Sequence, residues 1–208
     1  MEVLLIVVGI LGISALIVWA AVVAHRKAEA NLQALAARQG LQVVKTGSGI
    51  TAVTSLRGQR QGKEVRFWTY STGSGKSRRT WCAVGVRPRV AGELTFDLRP
   101  QGFSTTVMGW FGAKEIRVGD PAFDAAWFVR TNQPDFLAAA LVPDIRAKLS
   151  LLGWAAGDAE YKLDAGLVQF ATLGSFGSAK VIARLEARLP VLLDLADLAE
   201  VSASQPKR

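Results

Sequence analysis
One short stretch, Ser74-Gly75-Lys76-Ser77, has residue types suited to phosphate chemistry. A phosphate-binding loop ends in this way, with a lysine on the phosphates and a hydroxyl on a magnesium ion. The full motif also needs a glycine five residues before Gly75 and a helix after Ser77, whose first amides hold the anion. Tyr70 stands at the glycine position, and the residues from Arg78 to Val86 alternate as a strand does. The stretch therefore reads as a basic hairpin tip, with no nucleotide cofactor. Lys76, Arg78 and Arg79 with Trp68, Tyr70 and Trp81 on the flanking strands could stack and neutralise a single-stranded nucleic acid. The preferred alternative is a solvated hairpin with amphipathic aromatics packed beneath it, which makes nucleic acid an unlikely partner.

Other chemical groups are sparse. Asp120 and Asp124 resemble a carboxylate pair, but Pro121 lies between them and Asp is common in turns, where it bonds its own backbone. His25 is the only histidine and Cys82 the only cysteine. A lone histidine excludes a multi-histidine metal site, and the place of His25 directly after the apolar run tells against a Ser-His-acid triad. The expectation is no catalytic residue, no metal and no cofactor. A lone cysteine also excludes an intramolecular disulfide framework.

Charge is unevenly spread. The whole chain carries +8, yet His25 to Val90 holds thirteen basic residues against Glu29 and Glu64. Just upstream, Val3 to Ala24 has no charge and no proline. At about 1.5 Å per residue this run makes a helix of roughly 33 Å, enough for a bilayer core of about 30 Å. A cleaved signal peptide is the competing reading, but its n-region should be basic and its apolar run shorter. Here Glu2 precedes the run and Arg26-Lys27 follows it, which by the positive-inside rule puts the N-terminus outside and the large domain in the cytoplasm. Basic residues beside a span are drawn to anionic lipid. Arg26, Lys27, Lys76, Arg78 and Arg79 are thus candidate anionic-surface contacts. The lipid bilayer is the expected partner, and the inner membrane the expected location.

The elements that must hold these groups follow from periodicity. Lys27 to Arg38 is rich in helix formers and ends at Gly40, so the anchor helix continues as a stalk whose Leu32, Leu35 and Ala36 meet the domain. Period-two alternation marks strands at Glu64–Tyr70, Thr80–Val86, Glu93–Arg99, Lys114–Val118 and Phe123–Arg130. Glu160–Leu163 and Leu167–Thr172 form a hairpin around Asp164-Ala165-Gly166. Gly58 to Gly62 reads as a turn. Pro134 and Pro143 suit first helical turns. A last helix from about Ser178 to Glu200 keeps Ile182, Leu185, Leu189, Leu192 and Ala196 in one phase across Pro190. Phe103 to Gly112 crowds five large apolar residues among glycines. Phe103, Met108, Trp110 and Phe111 are candidates for an interface loop, the alternative being a lid over the core.

The run Ile116 to Leu149, with its Gly-Asp-x-x-Phe-Asp, a strand and short helices, resembles a pattern in an uncharacterised family of bacterial membrane-anchored proteins. The hairpins around Arg57-Gly58 and Gly73 to Thr80 share that resemblance. It implies one N-terminal transmembrane helix and a cytoplasmic α+β domain, with no known activity.

The expected fold is α+β: residues 1–26 as transmembrane anchor, 27–40 as helical stalk, and 41–200 as a mostly antiparallel sheet with helices packed on it. An alternative division of the soluble part is into lobes 41–130 and 131–200, and 201–208 reads as a flexible tail. The expected function is a non-enzymatic, single-pass, membrane-tethered interaction or scaffold protein. Its partner would be a membrane protein or a second copy. The alternative is a module that binds anionic lipid or a polyanion.

Overall fold
A computed structural model of the chain describes residues 1–47, 53–90, 92–102 and 114–205, with the side chains of residues 2–11 outside that description. The first helix, α1 (Glu2–Gln39), is unbroken. It ends at Gly40, whose φ of 64° and ψ of 35° are the left-handed conformation that favours glycine. The amides of Gly40 and Leu41 both donate to the Ala36 carbonyl, which turns the chain back on the helix.

The strands are β1 (Gln42–Thr46), β2 (Val53–Arg60), β3 (Lys63–Thr72), β4 (Arg79–Arg87), β5 (Phe96–Pro100), β6 (Lys114–Ile116), β7 (Trp127–Thr131), β8 (Tyr161–Asp164) and β9 (Leu167–Leu173). The further helices are α2 (Pro121–Ala126), α3 (Pro134–Ala140), α4 (Pro143–Leu151) and α5 (Ala179–Ser204). Among the described residues the nine strands form one sheet in the order β1-β2-β3-β4-β9-β8-β5-β7-β6, with every neighbouring pair antiparallel. The chain is thus α+β, with a large antiparallel sheet and helices packed on it. Residues 41–130 and 131–200 share this sheet, because β8 and β9 lie between β4 and β5.

Two-residue turns set the register. Gln61-Gly62 (φ 52° and 74°) joins β2 to β3, and Ala165-Gly166 (φ 48° and 67°) joins β8 to β9. Consecutive positive φ values belong to the hairpin turn whose twist matches the strands. Gly58 is not part of a turn, as the sequence suggested, but lies within β2. A Cβ there would fall 2.6 Å from Leu41 Cδ2 and 3.2 Å from Leu41 Cα, so glycine lets the corner after α1 sit on the strand.

One face of the sheet makes the core. The cross-strand row Gly58–Val65–Val86–Val168–Leu163–Phe96–Thr131 lies on it. α5 covers this face with Ile182, Leu185, Leu189, Leu192 and Ala196, all buried, and stays helical through Pro190. The end of α1 adds Leu32, Leu35 and Ala36 to the same core. Arg38 donates twice to Glu186 on α5, and Gln39 donates to the same carboxylate. Asn31 donates to the Phe176 carbonyl at 2.9 Å.

Three further expectations need correction. Phe123–Ala126 is helix rather than strand, because Asp120 accepts from the amides of Ala122 and Phe123 and Pro121 opens the turn. Glu93 to Thr95 lies outside β5, held instead by Asn132, which accepts from the Thr95 amide and donates to the Glu93 carbonyl. The C-terminus stays ordered to Ser204: Ser202 is buried and donates to Gln133 at 2.8 Å.

Three buried charges, Asp158, Arg188 and Lys63, sit within the packed layers. Asp158 Oδ2 accepts from Arg184 (2.8 Å), Arg188 (3.3 Å) and the Ala155 amide (3.0 Å), while Arg188 also donates to Gly153 and lies 4.4 Å above the Phe170 ring. Lys63, 2% exposed, reaches Asp197 on α5 at 2.5 Å. Removing one partner of a buried pair strands the other charge, at a cost of about 3–5 kcal/mol. Asp158→Ala should lower the unfolding free energy by about that amount, and Arg38→Ala, whose ion pair is exposed, by under about 1 kcal/mol. Urea titration followed by circular dichroism checks both.

Candidate functional site
The groups singled out in the sequence gather at one end of the domain, where α1 leaves it. β3 and β4 meet there in a tip whose Gly75–Ser77 makes a short 3-10 turn, closed by Ser77 donating to the Ser74 carbonyl. No α-helix follows Ser77; β4 does, as expected for a hairpin tip. Lys76, Arg78 and Arg79 are all exposed. Beneath them Tyr70 and Trp81 stack with rings 6.2 Å apart and nearly parallel, and the Trp81 indole donates to Thr72. The Gly174 amide donates to the Thr80 carbonyl, which places the loop before α5 beside the tip. That loop in turn meets α1, through Phe176 and Asn31 and through Gly177 close to the Ala24 carbonyl. Arg26 and Lys27 are exposed on α1 at this level, and Lys45 reaches Glu29 at 2.5 Å. Arg26, Lys27, Lys45, Lys76, Arg78 and Arg79 therefore share one end.

N-terminal to this end, Gly12 to Ala21 of α1 stand clear of the domain. Every residue from Gly12 to Ala21 is exposed, including Ile13, Leu16 and Trp19 at 65%, 68% and 67%. Among the described residues no helix is long and apolar enough to cross a membrane. The apolar run Val3–Ala24 extends over residues 2–11, whose side chains lie outside the described ones. Phe103, Met108, Trp110 and Phe111 likewise lie outside the described residues.

The remaining candidates are structural. Cys82 is buried on the core face, its thiol pushed up to about 12 by burial and directed at the Gly174 carbonyl. Asp120 caps α2, and Asp124 accepts from the amides of Val118 and Gly119. Among the described residues no three His, Cys, Asp or Glu side chains are grouped to hold a metal ion.

A second feature was not anticipated. On the face opposite the helices, one cross-strand row crosses the whole sheet: Gln42–Arg57–Arg66–Gly85–Gln169–Lys162–Asp97–Arg130–Glu115. Every side chain in it is polar apart from the glycine. Arg66 stacks on Trp68, 4.3 Å from the ring centre, and Trp68 lies across Gly85. Asp97 is 2% exposed, hemmed in by the strands on both sides, with Arg130 3.5 Å away. Burial, then the charge of Glu160, raises its carboxyl to about 6 against the pull of Arg99, Arg130 and Lys162. Period-two alternation assigns Asp97 to a face; it does not say that the face is crowded there.

No protein-family model matches the chain, and no curated protein matches it. Among solved structures it is similar to the crystal structure of the mycobacterial trehalose monomycolate transport factor A, TtfA. The TM-score is 0.59 at 13% identity, over 88% of this chain and 98% of that one. At that identity the likeness shows the fold alone.

Asp97 sets a pH dependence. A carboxyl whose folded pKa is raised binds its proton more tightly in the native state, so stability falls as pH rises from about 4 through about 6. A shift of this size corresponds to at most about 3 kcal/mol. Asp97→Asn should flatten the fall, as measured by urea unfolding between pH 4 and pH 7; an unchanged slope would assign it to another group.

Proposed function
We propose that the chain is a single-pass, membrane-tethered interaction protein of the inner membrane, non-enzymatic, with its domain in the cytoplasm. The observation that carries this reading is the exposed stretch of α1 from Gly12 to Ala21. Ile13, Leu16, Ile17, Val18 and Trp19 point in all directions around the helix, and the domain covers none of them. A helix apolar all round requires an apolar surrounding. The uncharged sequence continues from there toward Val3, and Arg26-Lys27 at its other end supports a cytoplasmic domain. The large sheet beyond offers surface, while the lone His25 and the buried Cys82 offer little for catalysis.

The gathering of Arg26, Lys27, Lys45, Lys76, Arg78 and Arg79 where α1 leaves the domain favours a second reading. That end would rest on anionic lipid headgroups, each nearby cation contributing about 1 kcal/mol. Tyr70 and Trp81 suit the headgroup layer, where one end of a ring is apolar and the other wet.

Two experiments test these readings. A reporter fused after Arg208 should be active as a cytoplasmic fusion and silent as a periplasmic one, with Met1 or Glu2 retained at the N-terminus; the reverse pattern, or a mature chain starting near His25, defeats the topology. A fragment of residues 28–208 keeps the core residues of α1 and should bind phosphatidylglycerol vesicles at low salt. Lys76→Ala, Arg78→Ala and Arg79→Ala together should weaken binding by up to about 3 kcal/mol while shifting stability by only about 0.5 kcal/mol each. Equal binding to phosphatidylcholine vesicles counts against the lipid reading.

A further inference from the structure
The polar row across the open face is charged differently in its two halves. On the half formed by β8, β5, β7 and β6, cations and anions alternate: Lys162, Asp97, Arg130, Glu115. Lys162 also pairs with Asp164 at 2.8 Å. On the half formed by β2, β3 and β4 they do not alternate. Arg57 and Arg66 stand directly opposite each other, and Arg87 lies one step further along the same face. Glu64, 3.5 Å from Arg87, is the one carboxylate among them in the described residues. Like charges directly opposite on a sheet are destabilising. Burial first, then Arg87 and Arg57, holds the Arg66 guanidinium below its ordinary pKa. Its Nε is covered and lacks a hydrogen-bond partner among the described residues. Its stack on Trp68 fixes the plane of the fork.

We propose that Arg57, Arg66 and Arg87 form a docking site for carboxylates of an acidic segment on a partner protein. Planar guanidinium forks match carboxylates in pairs. Bilayer lipid does not fit this position: Arg66 lies six residues up β3 from Thr72, about 20 Å from the tip at roughly 3.3 Å per residue. That is more than twice the screening length of about 8 Å at physiological salt. A continuous polyanion such as nucleic acid would meet the exposed carboxylates of Glu64, Asp164 and Glu115 on the same face, whereas a peptide can set its few carboxylates over the arginines alone.

The inference rests on the reading of the chain as an interaction module, and the test separates the two. The full chain is reconstituted in phosphatidylcholine nanodiscs, where retention reports on the tether. A fluorescein-labelled decapeptide of alternating Glu and Ser, followed by anisotropy, reports on the face. The peptide should bind at low salt. Arg57→Gln with Arg66→Gln should weaken it at least tenfold, and Lys76→Gln with Arg78→Gln and Arg79→Gln less than twofold. Arg57→Gln alone, at an exposed position, should weaken binding while raising the melting temperature, since it relieves the like-charge pair. The proposal is overturned if wild type fails to bind the peptide, if the Arg57 and Arg66 variants bind as wild type does, if the tip variant loses as much, or if a ten-nucleotide oligothymidylate binds more tightly through the same arginines.

Discussion

Backbone pairing across nine strands is the constraint on which the rest of this protein depends. Each ladder bond fixes a core residue and a surface residue together, because neighbours along a strand point to opposite faces. A slip of one residue in β9 would turn Phe170 outward and Gln169 into the core. Register is therefore pinned by burial and by the two-residue turns at Gln61-Gly62 and Ala165-Gly166. The same register aligns eight polar side chains and Gly85 on the other face. The charged row needs no separate organising principle; it is the reverse side of the core.

Charge inside the helical layer does different work from charge on the open face. Lys63, Asp158 and Arg188 are buried, and each joins α5 to the sheet or to the loop ahead of β8. Glu200 holds Arg89 through its backbone amide and its guanidinium, tying the end of β4 to the far end of α5. Glu186 does the same for α1. Several of the thirteen cations in the basic half are thus occupied within the fold, and the net charge of that half overstates what its surface presents.

Much of the architecture was legible in the sequence, for clear physical reasons. Leu32, Leu35 and Ala36 announced the buried stripe of α1, and Gly40 its end. The alternation around Phe67 and Val84 marked adjacent strands, and Pro134 and Pro143 opened helices where first turns accept proline. The failures were also physical. Asp120-Pro121 carries a capping signal that starts α2, although Phe123 to Arg130 alternate as a strand does. Gly58 looked like turn chemistry, and only its contact with Leu41 makes it a strand residue. The gathering of Lys76, Arg78 and Arg79 near Arg26 needed the sheet order. The pairing of Arg57 with Arg66 needed the register, which no local pattern reports. Periodicity places a residue on a face but not beside a particular neighbour.

The continuity of α1 has a mechanical consequence. Between Gly12 and Gly40 the helix contains neither glycine nor proline, and its last three turns are bolted to the core and to Glu186. At about 1.5 Å per residue, the stretch from Ile13 to Gln39 makes a rod of about 40 Å. The rod has no swivel. A tilt or twist applied to its free end reaches α5 as torque, and through α5 the sheet. The azimuth of the open face is consequently set by the rod, so that the direction in which Arg57 and Arg66 look is decided by forces acting tens of ångströms away.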